Sequence, residues 1–469
     1  MSAPELTVAV VGAGWAGCAA AVELARQGFL VTLVESARTL GGRARAVEVQ
    51  GRPFDNGQHI LLGAYRDTLR MLRTVGVDPD EALLRLPVQM RYPFPEQSGG
   101  MDFVAPKWPA PLHLATALLR ATGLARADKL ALARFQSAAR LMGWGLNLDC
   151  SVEELLARFD QTPRLNRLLW HPLCIAALNT PPQRASANVF LAVLRDSLGA
   201  RRRAASDMLL PRRDLGALFP QAAAAYVESH GGTVRPGVKA DALARLEDGW
   251  QLTLNGALED FDAVVLATPA SVSASLLALY PEAKELAGQL SSFGYEPIAT
   301  CYLQYDPGLR LDLPFYALLD DPGSGRWGQF VFDRGQLDAS QGGLLAVVVS
   351  AAGDAAALGQ DALARQIAAQ LAHDLRRPEL AAPSWCRVIT EKRATFSCTP
   401  GLQRPEVETP LPGVVLAGDY TASDYPATLE TAVRSGIAAA TAVAACDRLP
   451  REKRSLSHAG GGGGGASVQ

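Results

Sequence analysis

Residues 6–43 of this chain read LTVAVVGAGWAGCAAAVELARQGFLVTLVESARTLGGR. The short, β-branched apolar run at 6–11 predicts a buried parallel strand. The alanine-rich stretch to about Gln27 predicts a helix, with Gly28 placed to stop it. Residues 29–34 predict a second strand that delivers Glu35 at its end. Gly12, Gly14 and Gly17 stand where the first strand turns into the helix. They allow a tight exit from the strand, a backbone that a pyrophosphate can approach with no Cβ in the way, and close packing of helix on strand. The free N–H groups and positive dipole end of the helix then face the phosphates.

Glu35 follows at roughly the 20-residue spacing at which an acid accepts hydrogen bonds from a ribose. A carboxylate there would repel the extra phosphate of NADP. The motif alone leaves NAD and FAD open. Gly41-Gly42-Arg43, just past the second strand, adds another close backbone approach and a planar cationic fork suited to phosphate. Taken singly, each motif is also compatible with a glycine-rich turn that binds nothing.

The chain has 469 residues, 48% hydrophobic and 20% charged, with a net charge of −2. That length exceeds one simple core and suits a dinucleotide domain carrying a large insertion. The near-neutral charge gives no basic face for a nucleic-acid partner. The seven cysteines are scattered, with no C-x-x-C pair, and the six histidines are unclustered. Reduced thiols in a cytoplasmic protein are expected, with no metal site. No signal peptide is read at the start, and no uncharged run is long enough to span a bilayer.

Further along, residues 54–63 read FDNGQHILLG. Gly57, Gln58 and His59 there suit a loop over a planar ligand, although an Asx-type turn explains the same residues. Residues 87–111, rich in proline and aromatics, predict short strands or loops. Residues 112–142 predict helix with a break at Gly123. Leu114, Leu118, Leu119, Leu130, Phe135 and Met142 would form its apolar face, with Arg120, Arg126, Lys129, Arg134 and Arg140 distributed among them. Such a pattern fits a hairpin packed on its own domain or one lying in a membrane interface. Ser151 opens another helix with a capping-box pattern. Asp196 and Asp207 sit beside apolar runs, as caps, ion-pair partners or site residues.

The α/β pattern then returns. A helix is expected at 218–230, a strand at 233–239, an edge strand at 250–254 and a buried strand at 261–267. Strands at 300–305 and 344–350 with a helix at 361–375 indicate a second sheet carrying helices. A last buried strand at 414–417 ends on Gly418-Asp419 and feeds a small-residue helix at 428–446. The glycine-rich residues 451–469 are expected to be disordered.

Together these pieces resemble the FAD-dependent amine oxidase and phytoene desaturase flavoproteins. The resemblance covers nearly the whole chain to about Leu449. It rests on VGAGWAG, Glu35, GGRAR, FDNGQHILLG, the strand ending ATP at 267–269, and AGDY with TLETAVRSG. It implies an α/β fold, with a Rossmann-like FAD-binding domain assembled from discontinuous segments (1–60, 208–270 and 405–449). A mixed sheet-plus-helices substrate domain (61–207 and 271–404), with a helical part, would complete it. In this resemblance Gly12, Gly14, Gly17 and Arg43 match positions near the pyrophosphate, Glu35 the ribose acid, and Val238 the adenine side, with Gly41 and Gly42 expected to bind the cofactor through their close backbone approach. Gly57, Gln58 and His59, in the loop suited to a planar ligand, are expected to bind the cofactor as well. Gly418 and Asp419 match the pyrophosphate and ribityl segment, Thr428 and Leu429 the helix start beside the flavin pyrimidine.

Within that family, DNGQHILLGAYRDTLRMLR, HPLCIAALNTPPQRASANVFLAVLRDSLG and ASDMLLPRRDL look most like the bacterial hydroxysqualene dehydroxylases of hopanoid synthesis. This implies a hydrophobic triterpene substrate and a reductive reaction. Reduced flavin would deliver hydride to an allylic carbon as hydroxyl leaves, the electron donor being unidentified. Hydroxide is a poor leaving group, so an acid should protonate it. Asp196, Asp207 and His59 are the candidates, a carboxyl in an apolar pocket having the raised pKa such a role needs. A substrate of this kind resides in lipid, which favours peripheral contact of the 112–142 stretch with the inner face of the cytoplasmic membrane. Three other readings compete. A carotenoid-type desaturase would run the flavin oxidatively. An amine oxidase would need an aromatic where Thr428 stands. A prenyl-binding protein of the GDP-dissociation-inhibitor type shares the fold without flavin catalysis.

Overall fold

The computed structural model describes residues 6–49, 51–95 and 99–446. The expected tail at 451–469 lies outside the described residues. The opening stretch forms strand Thr7–Val11, helix Trp15–Arg26 and strand Leu30–Glu35. The two strands belong to a five-stranded parallel sheet whose order is Thr233–Pro236, Leu30–Glu35, Thr7–Val11, Ala263–Leu266 and Val414–Leu416. Strands far apart in sequence are therefore neighbours in one sheet. Val8 and Val10 point into one hydrophobic core while Ala9 and Val11 point into another. Burial on both faces explains why the strand reads as a continuous apolar run.

The helix Trp15–Arg26 is buried from Trp15 to Ala25. It packs against the last helix, Leu429–Ala445, and against Pro220–Ser229. Alanine and glycine suit it because backbones must approach closely. A Cβ on Gly17 would stand 1.8 Å from the Gly12 carbonyl oxygen, and one on Gly436 would stand 2.2 Å from the Ala16 carbonyl oxygen. Both contacts are with backbone, so neither can be relieved by a side-chain rotation.

The second sheet is antiparallel, in the order Phe315–Ala317, Phe330–Asp333, Leu344–Ser350, Tyr295–Gln304 and Trp385–Phe396. Helix Gln360–Asp374 covers one face. A three-stranded antiparallel unit places Gly249–Leu254 in its middle, which corrects the expected edge strand. Trp250 is fully buried there and its indole donates to the Pro412 carbonyl at 3.0 Å. A small sheet joins Leu61–Leu62, Met208–Pro211 and Leu83–Leu86.

The 112–142 stretch forms two helices, Leu112–Arg120 and Arg126–Leu141, separated at Gly123. Its apolar residues do not share one face. Leu114 and Phe135 are buried, whereas Leu119, Leu130 and Leu141 project outward, Leu141 being 89% exposed. Ser151 caps helix Val152–Arg158 in a reciprocal box with Glu154.

Candidate active site

Two glycine turns face each other at the end of the parallel sheet. Gly41 N–H donates to the Ala13 carbonyl at 2.8 Å. Gly42 Cα is the one heavy atom within 4 Å of a Cβ built on Gly14, at 3.8 Å. Gly14 begins the first helix without a side-chain cap, so the first-turn N–H groups are free for an external acceptor. Gly12 takes φ +104° in the turn, a conformation that L side chains rarely adopt. Glu35 is held at this mouth, its Oε2 accepting from Ala13 N–H at 2.9 Å and its Oε1 from Ala37 N–H at 2.8 Å. Val238 N–H donates to the Glu35 carbonyl at 2.9 Å, which sets Val238 beside that acid. A bare backbone cradle with a carboxylate at one side is what a dinucleotide requires.

An early and a late segment of the chain meet here. Arg43 Nη2 bonds Asp419 Oδ1 at 2.6 Å, and Arg43 Nη1 donates to the Ala394 carbonyl at 2.8 Å. Gly418 N–H donates to Ser435 Oγ at 2.8 Å. Thr428 caps the last helix, accepting from Thr431 N–H at 3.2 Å, and Leu429 is that helix's first residue. Asn56 reaches the Arg43 carbonyl at 3.2 Å, which brings the Gly57-Gln58-His59 loop to the same cradle. Gln58 Oε1 accepts from Arg334 Nη1 at 3.3 Å. The residues present thus fit FAD.

The three acid candidates differ in setting. His59 Nδ1 lies 2.8 Å from the Gly57 carbonyl. A carbonyl only accepts, so Nδ1 carries the hydrogen and Nε2 is the open acceptor. Burial lowers the His59 pKa, Arg43 adds to this, and the Gly57 hydrogen bond only partly opposes it. The ring is neutral at pH 7, an arrangement that suits an acceptor rather than an acid.

Asp207 is buried and bracketed by Arg203 at 2.8 Å and Arg85 at 3.3 Å. Asp196 accepts from Arg195 Nε at 2.7 Å and from the Tyr425 hydroxyl at 2.7 Å. Burial would raise the Asp196 pKa. The hydrogen bonds from Arg195 and Tyr425 and the charges of Arg195 and Arg434 outweigh it and hold this carboxyl below its usual range. Asp196 therefore lacks the raised pKa expected of such an acid, and Asp207 sits between two guanidinium groups rather than in an apolar pocket.

Sequence reading passed over Tyr425. This side chain is buried, lies three residues before the Thr428 cap, and has the Arg434 guanidinium 4.8 Å from its ring centroid. Burial, followed by the hydrogen bond to Asp196, pushes its pKa well above that of a free phenol, so its hydroxyl stays protonated. The ASDYPATLE segment contains it, but the ring's value depends on Asp196, 229 positions away.

Residues 15–444 match the family model described as "Flavin containing amine oxidoreductase". A hydroxysqualene dehydroxylase of Rhodopseudomonas palustris is 31% identical over 463 residues, covering 94% of this chain and 99% of that protein. A zeta-carotene desaturase of Zea mays is 36% identical over 129 residues, covering 27% of this chain and 22% of that protein. Among solved structures, cyclohexylamine oxidase from Brevibacterium oxydans superimposes with a TM-score of 0.65 at 17% identity, covering 94% of this chain and 99% of that one.

Proposed function

The chain belongs to the flavin-containing amine oxidoreductase family as an FAD-dependent oxidoreductase, and from that premise we propose that it reductively dehydroxylates hydroxysqualene to squalene. The observation that carries this reading is the similarity to a hydroxysqualene dehydroxylase over 94% of the chain. That span includes the segments between the nucleotide-binding motifs, where substrate selection resides. Bound in its reduced form, FAD supplies the hydride.

The chain's own residues hold the substrate and manage one proton. Tyr425 carries a proton at neutral pH and is oriented by Asp196. Departing hydroxide is far more basic than a tyrosinate, so the phenol can give it the one proton now donated to Asp196, its O–H turning from the carboxylate to the leaving group. The Asp196 carboxylate, ionised beside this phenol, also stabilises positive charge developing at an allylic carbon. His59 Nε2 is an acceptor that can orient the hydroxyl. Asp207, tied to two arginines, holds the Met208–Pro211 strand end in place.

Anaerobic incubation of prereduced protein with hydroxysqualene is expected to yield squalene, and its absence from the lipid product would sink the reading. Tyr425→Phe and Asp196→Asn are expected to lower single-turnover rates by roughly 10²–10⁴-fold, the range of a lost general acid. Unchanged rates for these two variants would remove the assignment of Tyr425 as acid and Asp196 as its orienting group.

We also propose peripheral membrane contact through the two helices at 112–141. Trp108, Leu112, Leu119, Leu130 and Leu141 are exposed beside Arg126, Arg134 and Arg140. Basic residues framing exposed leucines suit an anionic lipid interface. No helix among the described residues is long and apolar enough to cross a membrane. Wild-type protein is expected to sediment with anionic liposomes and Leu130→Asp/Leu141→Asp to stay in solution. Equal sedimentation of the two would overturn the contact.

A further inference from the structure

A cavity of about 320 Å³ has Pro53, Phe54 and Asp55, the residues leading into the 57–59 loop, in its wall. None of the residues assigned above to FAD lines it. Phe54 and Tyr302 form an aromatic part of its wall, and Arg212, Arg213 and Arg334 bring three guanidinium groups to it. Arg334 is 3% exposed and is the single lysine or arginine in the buried class among the described residues. Its Nε donates to Gln341 and its Nη1 to Gln58. No carboxylate lies within ion-pair distance of it, and no acceptor within the protein meets Nη2, among the described residues. Arg212 and Arg213 likewise have no ion pair there and are exposed.

A buried guanidinium without an anion is costly. The nearby carboxylates of Asp55 and Asp338 attract it without making an ion pair with it, and their hydrogen bonds go elsewhere. Asp55 Oδ1 accepts from Leu215 N–H at 2.8 Å, Asp214 caps a helical turn through Ala217 N–H at 2.9 Å, and Asp338 accepts from Ser340 and Gln341. Burial pushes Asp55 up to about 6 even though Arg334 opposes it, as expected for a charge nearby but not in contact. The cavity therefore offers unmatched planar donors for an oxyanion, with carboxylate oxygens beside them that can accept from hydroxyl groups.

We infer that this cavity is a binding site for a phosphate ester that also carries hydroxyl groups, the chemistry of a ribose phosphate. The arginines take the phosphate through paired N–H groups. Asp55, Asp214 and Asp338 accept from the hydroxyls, and Phe54 with Tyr302 gives an apolar wall. The volume holds a ribose phosphate and not a whole dinucleotide, so a larger nucleotide would place one end here and project the other into solvent. The inference rests on this cavity and is independent of the proposed triterpene substrate.

The test uses FAD-saturated holoenzyme, so that the dinucleotide cradle is occupied, in calorimetric titrations at low ionic strength. Ribose 5-phosphate is expected to bind more tightly than inorganic phosphate. Arg212→Ser/Arg213→Ser is expected to weaken ribose 5-phosphate by about tenfold or more, the effect of losing a charged hydrogen bond. Both arginines are exposed, so this variant keeps its fold, which retained flavin absorbance verifies. Arg334→Lys, which keeps the charge and loses the fork, is expected to weaken binding as well. NADPH competing with ribose 5-phosphate would support a nucleotide as the source of the phosphate ester. No binding of ribose 5-phosphate at millimolar concentration, affinity no better than that of inorganic phosphate, or affinity unchanged in Arg212→Ser/Arg213→Ser would each overturn the proposal.

Discussion

Gly17→Ala is expected to abolish soluble holoprotein, whereas Gly14→Ala is expected to fold and to lose FAD. The two glycines belong to one motif but face different things. A Cβ on Gly17 meets the Gly12 carbonyl oxygen at 1.8 Å and the Ala267 Cβ at 3.0 Å. Helix and strand would have to separate, and the last helix would move with them. A cost on the order of 3 kcal/mol or more follows from overpacking a rigid contact, a large part of a typical domain's stability. Gly14 has φ −72° and an extended ψ, a conformation alanine adopts without strain, and its Cβ meets only Gly42 Cα at 3.8 Å. The methyl group would stand between the two glycine turns, where the pyrophosphate backbone must pass. A loss of FAD affinity of about tenfold or more, roughly 1.4 kcal/mol, is expected. Soluble yield, thermal unfolding and the ratio of flavin to protein absorbance separate the two effects. If Gly17→Ala were folded and yellow, or if Gly14→Ala kept full FAD occupancy, the assignment of the motif would fail.

Glu430→Ala is expected to be the most disruptive substitution outside the glycine motif. Glu430 is fully buried. Its Oε2 accepts from Thr68 N–H at 2.9 Å and Thr68 Oγ1 at 2.7 Å, while its Oε1 accepts from Arg434 Nε at 2.9 Å and Asp67 N–H at 3.2 Å. The carboxylate thus caps helix Arg66–Thr74, whose own N-cap, Tyr65, makes no side-chain cap bond. It also fixes Arg434, which lies over Tyr425. Alanine would leave buried N–H donors unmet and loosen a cation, at roughly 3–5 kcal/mol for breaking a buried charged network. Glu430→Gln keeps the size and one acceptor and is expected to cost less. Thermal unfolding of the two variants provides the measurement. Melting of the alanine variant within a degree of wild type would show that the network contributes nothing.

The nucleotide-binding segment was legible because its signals are local: three glycines, an apolar strand, an acid at a fixed spacing. The 12-residue strand Trp385–Phe396 was not read. Its sequence WCRVITEKRATF mixes charged and apolar residues because it forms one edge of its sheet and much of it faces solvent. The opposite error befell Gly249–Leu254, whose alternation is that of a paired central strand. Caps supplied from afar leave no local trace, and Glu430 serving residue 68 is of that kind. Asp196 and Asp207 were singled out for their apolar neighbours in sequence, but in the fold their partners are Arg195 and Tyr425 for the one and Arg85 and Arg203 for the other. The bond between Arg43 and Asp419 spans 376 positions. Only the family resemblance anticipated that these two residues share a site.

The strand order of the parallel sheet also bears on how the protein is made. The central strand, Thr7–Val11, pairs with Ala263–Leu266, which in turn pairs with Val414–Leu416. A ribosome has therefore passed the middle of the chain before the first strand has both its neighbours, and has finished nearly all of it before the sheet has its last strand. Loop closure over such separations is slow relative to local structure, and the early apolar segments stay exposed in the meantime. FAD can add stability only after the C-terminal segment has arrived, by mass action on the closed form. Biosynthesis should consequently depend on chaperones and on ambient flavin more than the finished enzyme's compactness suggests. Removal of the last helix should cost the chain its first domain.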